Sequence, residues 1–292
     1  MAELDLLRVD YHQAPALEAF KSSTIFQTLD WLKFLSHTQN AEPVIAVVKQ
    51  GNQEVGRFSG LIIKKFGIRI LGSPFPGWTT SYMGFNLPCS VSKVDALRAL
   101  EVFAFHKLDC VHIEIMDRHI STNAFRQAGY KHNIAYSYEI DLTTDKEQIF
   151  SRMSSACRRC IRKARKNGVY VETAKDFSFA DDYYAQCEDV FAKQRLVPPY
   201  AKERVTALIE YLLHTGNLLL LRAKDKEENC IATGIFPALN NTMYFWGGGS
   251  WRSYQHLRPN ELLQWSAMLY WKDKGITKSV DRKFSRKGVG SG

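Results

Sequence analysis

Two stretches of the chain carry residue types able to do chemistry. From Arg152 to Lys166 there are seven cations and no acid. Met153, Cys157, Cys160, Ile161 and Ala164 recur there at helical spacing, so one helix face is apolar and the remainder basic. Such a helix either presents a plain solvated face or pulls on a polyanion with a force that salt screens. Its anion-binding candidates are Arg158, Arg162 and Lys166. Cys157-x-x-Cys160 has the form of half a zinc or redox site. No second such pair and no His at ligand spacing accompanies it, and both cysteines lie on the apolar stripe, so they read as small core residues with no metal.

The second stretch runs from Tyr244 to Trp265. A strand pattern ends in Gly247-Gly248-Gly249, an aromatic and basic loop follows, and Pro259 presets the start of a helix. Free amides at that start, near Asn260, suit an anion or a carbonyl oxygen, and glycines at a strand end let a ligand approach the backbone. The alternative is an ordinary strand-loop-helix connection. His112 and Glu114 alternate on one face of another strand pattern. They read as a base or metal pair, or as a half-exposed strand face. No Ser/His/Asp or Cys/His order suggests a triad.

These residues need elements to position them. The chain has 292 residues, 45% of them apolar, which suits two compact domains and excludes disorder as the main description. The net charge of +9 favours anionic partners without choosing among them. No run of about 18 apolar residues exists to span a membrane. The acidic start at Glu3 and Asp5, where a secretory signal would be basic, and the six scattered cysteines predict a cytoplasmic protein. Periodicity predicts helices over 25–35, 90–108, 123–128, 144–167, 179–194, 202–214 and 260–274. Strands are predicted over 43–48, 56–64, 68–71, 111–116, 136–142, 169–174, 218–223, 230–239, 242–248 and 276–280, with a tight turn at Asn240-Asn241. This alternation, twice over, is an α+β pattern of two related halves, each a mostly antiparallel mixed sheet flanked by helices, dividing into 1–143 and 144–292.

Five pieces in order resemble the Fem-type aminoacyltransferases and the wider Fem-like branch of the GNAT acyltransferase superfamily. They are Phe26-Gln27-x-x-x-Trp31; Gly72-Ser73-Pro74 with Gly77-Trp78 and Met83-Gly84; Tyr138-x-Ile140-Asp141-Leu142; Arg158-x-x-x-Arg162-Lys163-Ala164-x-Lys166-x-Gly168-Val169; and Arg258-Pro259-Asn260-x-Leu262-Leu263-x-Trp265. The resemblance spans about residues 24–287. It implies two tandem GNAT-like domains with a cleft between them, transferring an acyl or aminoacyl group to an amine in peptidoglycan-precursor or polysaccharide synthesis. The donor would be a co-substrate, aminoacyl-tRNA or acyl-CoA, with no bound cofactor, and members of this branch often work at the inner membrane face. Arg258 and Lys287 become the catalytic candidates. Lys33, Trp78 and Tyr82 would line the acceptor side in the first domain; Trp246, Tyr254 and Asn260 would bind substrate in the second.

The sequence departs from the family pattern in three places. The acetyl-CoA pyrophosphate loop expected before the helix at 260 is replaced by Arg252 to Arg258. After Asp281 the double glycine is missing, and Ser285 stands where a Lys follows an aromatic, so Lys287 or Lys283 is a displaced substitute. The closing strands expected next are absent, which reads as a C-terminal truncation. The missing loop counts against an N-acetyltransferase acting on a small amine. The aromatic, glycine-rich loops count against a non-catalytic binder of nucleic acid or membrane, which the altered tail would favour.

Overall fold

A computed structural model describes residues 3–10, 20, 22–192 and 195–281. They form two compact units that divide between Tyr136 and Ser137. In chain order the first holds β1 (Leu4–Arg8), α1 (Leu29–Gln39), β2 (Glu42–Gln50), β3 (Gln53–Lys65), β4 (Ile68–Ser73), β5 (Gly84–Asn86), α2 (Lys93–Val102), β6 (Cys110–Ile115) and α3 (Thr122–Gln127). The second holds β7 (Tyr138–Asp141), α4 (Lys146–Arg152), α5 (Ser155–Lys166), β8 (Tyr170–Ala174), α6 (Phe179–Ala192), α7 (Lys202–Leu212), β9 (Leu218–Lys224), β10 (Cys230–Leu239), β11 (Thr242–Tyr244), β12 (Gly247–Ser250), α8 (Pro259–Asp273) and β13 (Lys278–Asp281).

The first sheet runs β1-β2-β3-β4-β6, with β5 also on β3. Every pairing is antiparallel except β4 with β6. Long apolar runs explain it: Val44 to Val48 and Phe58 to Ile62 are buried. Their Phe58 and Ile62 side chains meet Leu97, Leu100 and Phe103 in one core. The second sheet runs β7-β13-β11-β10-β9-β8, with β12 also on β10; only β11 and β13 are parallel. Its core joins Ile161 and Ala164 of α5 to Leu262, Leu263 and Trp271 of α8 across Phe236 and Met243. The expected α+β class, two mixed sheets each flanked by helices, is what forms.

Three details differ from the sequence pattern. The compact division precedes residue 143, because β7 pairs with β13 and Leu142 is held by Thr277 and by the Lys272 ammonium at 2.8 and 2.7 Å. The helix expected over 144–167 breaks at Met153. Ser154 caps α5 through the Cys157 amide, a local bond that competes with continuing the helix. The strand expected over 242–248 breaks after Tyr244. The sequence pattern announces neither β1 nor the three-residue β5.

Candidate functional site

In the second unit the parallel pair β11/β13 holds only from Thr242 and Lys278 to Tyr244 and Val280, closing with the Phe245 amide on the Val280 carbonyl at 3.3 Å. Beyond it the chain bulges. Trp246 and Gly247 both turn toward Tyr183 and Tyr200, where strict alternation would send them to opposite faces. The chain then resumes as β12, which pairs with β10 alone among the described strands. Its other edge pairs with no described strand; Gly247 and Gly248 there are accessible, whereas Gly249 and Ser250 are buried.

The three glycines have a different cause from the one the sequence suggests. A Cβ on Gly247 would lie 2.3 Å from the Tyr183 hydroxyl, one on Gly248 2.9 Å from the Thr233 carbonyl, and one on Gly249 2.7 Å from Gln186 Cβ. Gly247 and Gly249 are small so that α6 can lie against the strand. Gln186, fully buried, bolts that helix down by accepting from the Thr233 hydroxyl at 2.8 Å. The Tyr183 and Tyr200 hydroxyls share a 2.8 Å bond. Burial holds both phenols above the usual range, Tyr200 at about 12, so both stay protonated and one hydroxyl donates to the other. Trp246 is buried against their rings, and its indole N–H meets no acceptor among the described residues.

Ser250 at the end of β12 accepts from the Asn260 amide side chain at 3.2 Å, tying the open edge to the N-terminus of α8. Arg258 caps that helix in a left-handed conformation (φ 63°) without a side-chain cap, and Pro259 follows. Tyr254 is half-buried on the core, and the Arg252 amide donates to Asp189 at 3.3 Å. Arg258 is exposed.

The basic helix α5 packs beside α8, and its cations divide in two. Arg158 donates to the carbonyls of Ser151 and Met153, the latter at 2.7 Å, satisfying the end of α4. Arg162 lies 5.4 Å over the Phe150 ring but stays exposed, as does Lys166. None of Arg159, Arg162, Lys163, Arg165, Lys166 or Arg258 joins an ion pair among the described residues. Arg159 is the residue that sequence reasoning missed. Burial and the Glu261 carboxylate push the Cys160 thiol up, while Arg258 of the α8 cap and the neighbouring Arg159 pull it down, which puts Arg258 within electrostatic reach of α5. The helical phase of Cys160 on the apolar stripe was the available signal. Cys157 and Cys160 are free thiols, half-buried.

In the first unit the loop after β4 is tethered from several sides. The Trp31 indole donates to Thr80 at 3.2 Å, the Gly84 amide to Ser73 at 2.8 Å, and the Met83 amide to the Met116 carbonyl at 3.3 Å. Trp78 packs on Phe75 with the ring centroids 4.8 Å apart and the planes tilted by 50°, and the Arg118 guanidinium lies 5.4 Å over Tyr82. Lys33 pairs with Asp30 one turn back on α1 at 3.5 Å, with its ammonium still partly exposed. His112 and Glu114 form an exposed 3.7 Å pair on β6. Among the described residues no group of three or more His, Cys, Asp or Glu side chains could hold a metal ion, and no helix is long and apolar enough to cross a membrane. Lys287, and the rest of the tail discussed from sequence, lies outside the described residues.

Residues 151–281 match a family described as an acetyltransferase (GNAT) domain. No curated protein matches the chain. Among solved structures, "Crystal structure of FemX" is similar over 98% of this chain and 90% of its own, with TM-score 0.75 and 12% identity. A tandem GNAT protein from the clavulanic acid biosynthesis pathway gives TM-score 0.54 at 10% identity over 98% and 91%. L-PGS from Bacillus licheniformis gives 0.51 at 11% identity over 82% and 74%.

Proposed function

Starting from a chain that has the Fem-like fold of tandem GNAT units, the second with a GNAT domain match, we propose that it transfers an acyl or aminoacyl group onto an amine of a cell-envelope precursor. The observation that carries this reading is Arg258. A cation at a helix N-terminus opposes the helix dipole, by about 0.3–1 kcal/mol, and its left-handed backbone costs roughly another 1 kcal/mol. The left-handed backbone closes the helical turn at 252–257, where the Arg258 amide donates to the Gln255 carbonyl at 3.1 Å; the exposed cation at the start of α8 has no such role, and an anionic or carbonyl-bearing donor seated between Arg258 and the amides near Asn260 accounts for it.

In the step itself the amine lone pair attacks the ester or thioester carbonyl carbon. A C–N bond forms, the C–O or C–S bond breaks, and the amine proton goes with the departing oxygen or sulfur. The protein's part is to hold the reactants in line and to offer donors to the developing oxyanion. The donors are Arg258, the open edge of β12 and the unpartnered Trp246 N–H. Arg159, Arg162 and Lys166 add attraction for the phosphates of aminoacyl-tRNA or CoA. Lys33, Trp78 and Tyr82 take the acceptor. Lys287 would neutralise charge. The sequence resemblance to Fem-type aminoacyltransferases, with the FemX fold match beside it, supports an aminoacyl donor and a cytoplasmic site of action; the GNAT acetyltransferase match favours acetyl-CoA on a small amine, the second reading.

Arg258→Ala and Trp78→Ala should each lower the transfer rate by at least about tenfold, roughly 1.4 kcal/mol, with a melting temperature level or slightly higher in the first and only slightly lower in the second, which loses a ring contact with Phe75. Wild-type rates in both would remove the site. Arg162→Glu with Lys166→Glu should weaken binding of tRNA by at least about tenfold at low salt, with the difference shrinking as salt rises. Equal affinity at every salt concentration would leave α5 a solvated face.

A further inference from the structure

The turn between β3 and β4 is built against its own stability. Phe66 and Gly67 connect the strands as a two-residue hairpin, and both have positive φ, 51° and 77°. That geometry favours Asn-Gly, because a left-handed residue with a large apolar side chain is strained and Asn is not. Phe66 is also 92% exposed, the most open of the exposed large hydrophobics. Ile68 beside it and Val111, the unpaired extra residue where β6 bulges against β4, are exposed too. Lys64 and Lys65 immediately precede the tip. The Lys65 ammonium lies 5.8 Å over the Phe66 ring, and Lys64 is 3.8 Å from Glu42. Glu42 is already shared with Arg8 and Arg69, so its charge is more than balanced and this end of the sheet stays cationic.

We propose that this hairpin tip is a wedge for an anionic bilayer surface, with Phe66 entering the interface and Lys64 and Lys65 meeting lipid phosphates. Aromatic rings are suited to the headgroup boundary, and each lysine near an anionic leaflet adds attraction. A convex tip with one ring and two small neighbours offers far less area than a protein interface needs, whereas a fluid interface conforms to it. The inference is independent of the catalytic reading, since no site residue lies on this turn.

The test is co-sedimentation of the whole protein with vesicles of phosphatidylglycerol mixed with phosphatidylcholine, and with phosphatidylcholine alone. Wild type should bind the mixed vesicles and bind the neutral ones at least about tenfold more weakly. Phe66→Asn should lose at least about tenfold in binding while its melting temperature stays level or rises, because Asn suits the turn. Lys64→Glu with Lys65→Glu should lose binding as well. Absence of wild-type binding to mixed vesicles overturns the proposal. So does Phe66→Asn binding as wild type, or loss of binding on Arg159→Glu with Lys163→Glu in α5 but not on change at the tip.

Discussion

Trp31→Ala should destabilise the first unit by about 3–5 kcal/mol, a large part of the stability of a domain this size. Trp31 is fully buried, edge-on to Phe26 at 4.8 Å and to Phe34 at 5.5 Å. Truncation leaves a cavity between α1 and the sheet, and it removes the indole's bond to Thr80, one of the tethers of the loop carrying Trp78 and Tyr82. Trp31→Phe separates the two effects. It keeps most of the packing and loses one hydrogen bond, so about 1 kcal/mol from the bond is expected beyond the volume change, with the loop loosened. Thermal unfolding of the three proteins checks this. A loss under 1 kcal/mol in Trp31→Ala would mean the ring is not a support of that loop.

The second large effect is expected at the strand bearing the open edge. Gly249→Val should cost at least about 3 kcal/mol, at the upper end of overpacking. Its Cβ would fall 2.7 Å from Gln186 Cβ and 3.3 Å from the Cys187 amide, parts of α6 that cannot swing aside. Gly247→Val meets the far end of the Tyr183 side chain instead, which is held by Tyr200 and packed on Phe179 and Trp246; a side-chain tip gives more readily than helix backbone, so a smaller loss of about 1–3 kcal/mol is expected. Both should also reduce transfer, since α6 and β12 separate. Denaturant unfolding ranks them; Gly247→Val as the worse of the two would contradict the packing described.

Much of the architecture was legible because long periodic runs dominate it. The buried strands β2, β3, β9 and β10, the Asn240-Asn241 turn and the start of α8 at Pro259 all follow from pattern and turn chemistry. What escaped was decided by single side chains. The break between α4 and α5 depends on the Ser154 cap and on Arg158 closing the end of α4. The bulge at Phe245-Trp246 has no period to announce it. The glycines at 247–249 signal close approach correctly, but what approaches two of them is a helix, which only the third dimension reveals. At the site, Arg258 could be placed at a helix start from Pro259 alone. The division of the cations of α5 into structural Arg158 and unpaired Arg159 could not, because it rests on which carbonyls lie within reach.

The central claim is that the second unit seats an acyl donor at the open edge of β12 and the N-terminus of α8. Melting of the wild type and of Arg258→Ala with and without aminoacyl-tRNA, acetyl-CoA and a UDP-linked amine precursor tests it most directly. A donor that binds only the folded state at about 100 times its Kd adds roughly 2.7 kcal/mol, a clear rise in melting temperature. The account predicts that one of the two donors gives this rise in the wild type and that Arg258→Ala loses most of it. A rise that Arg258→Ala retains in full, or none with either donor, would contradict it.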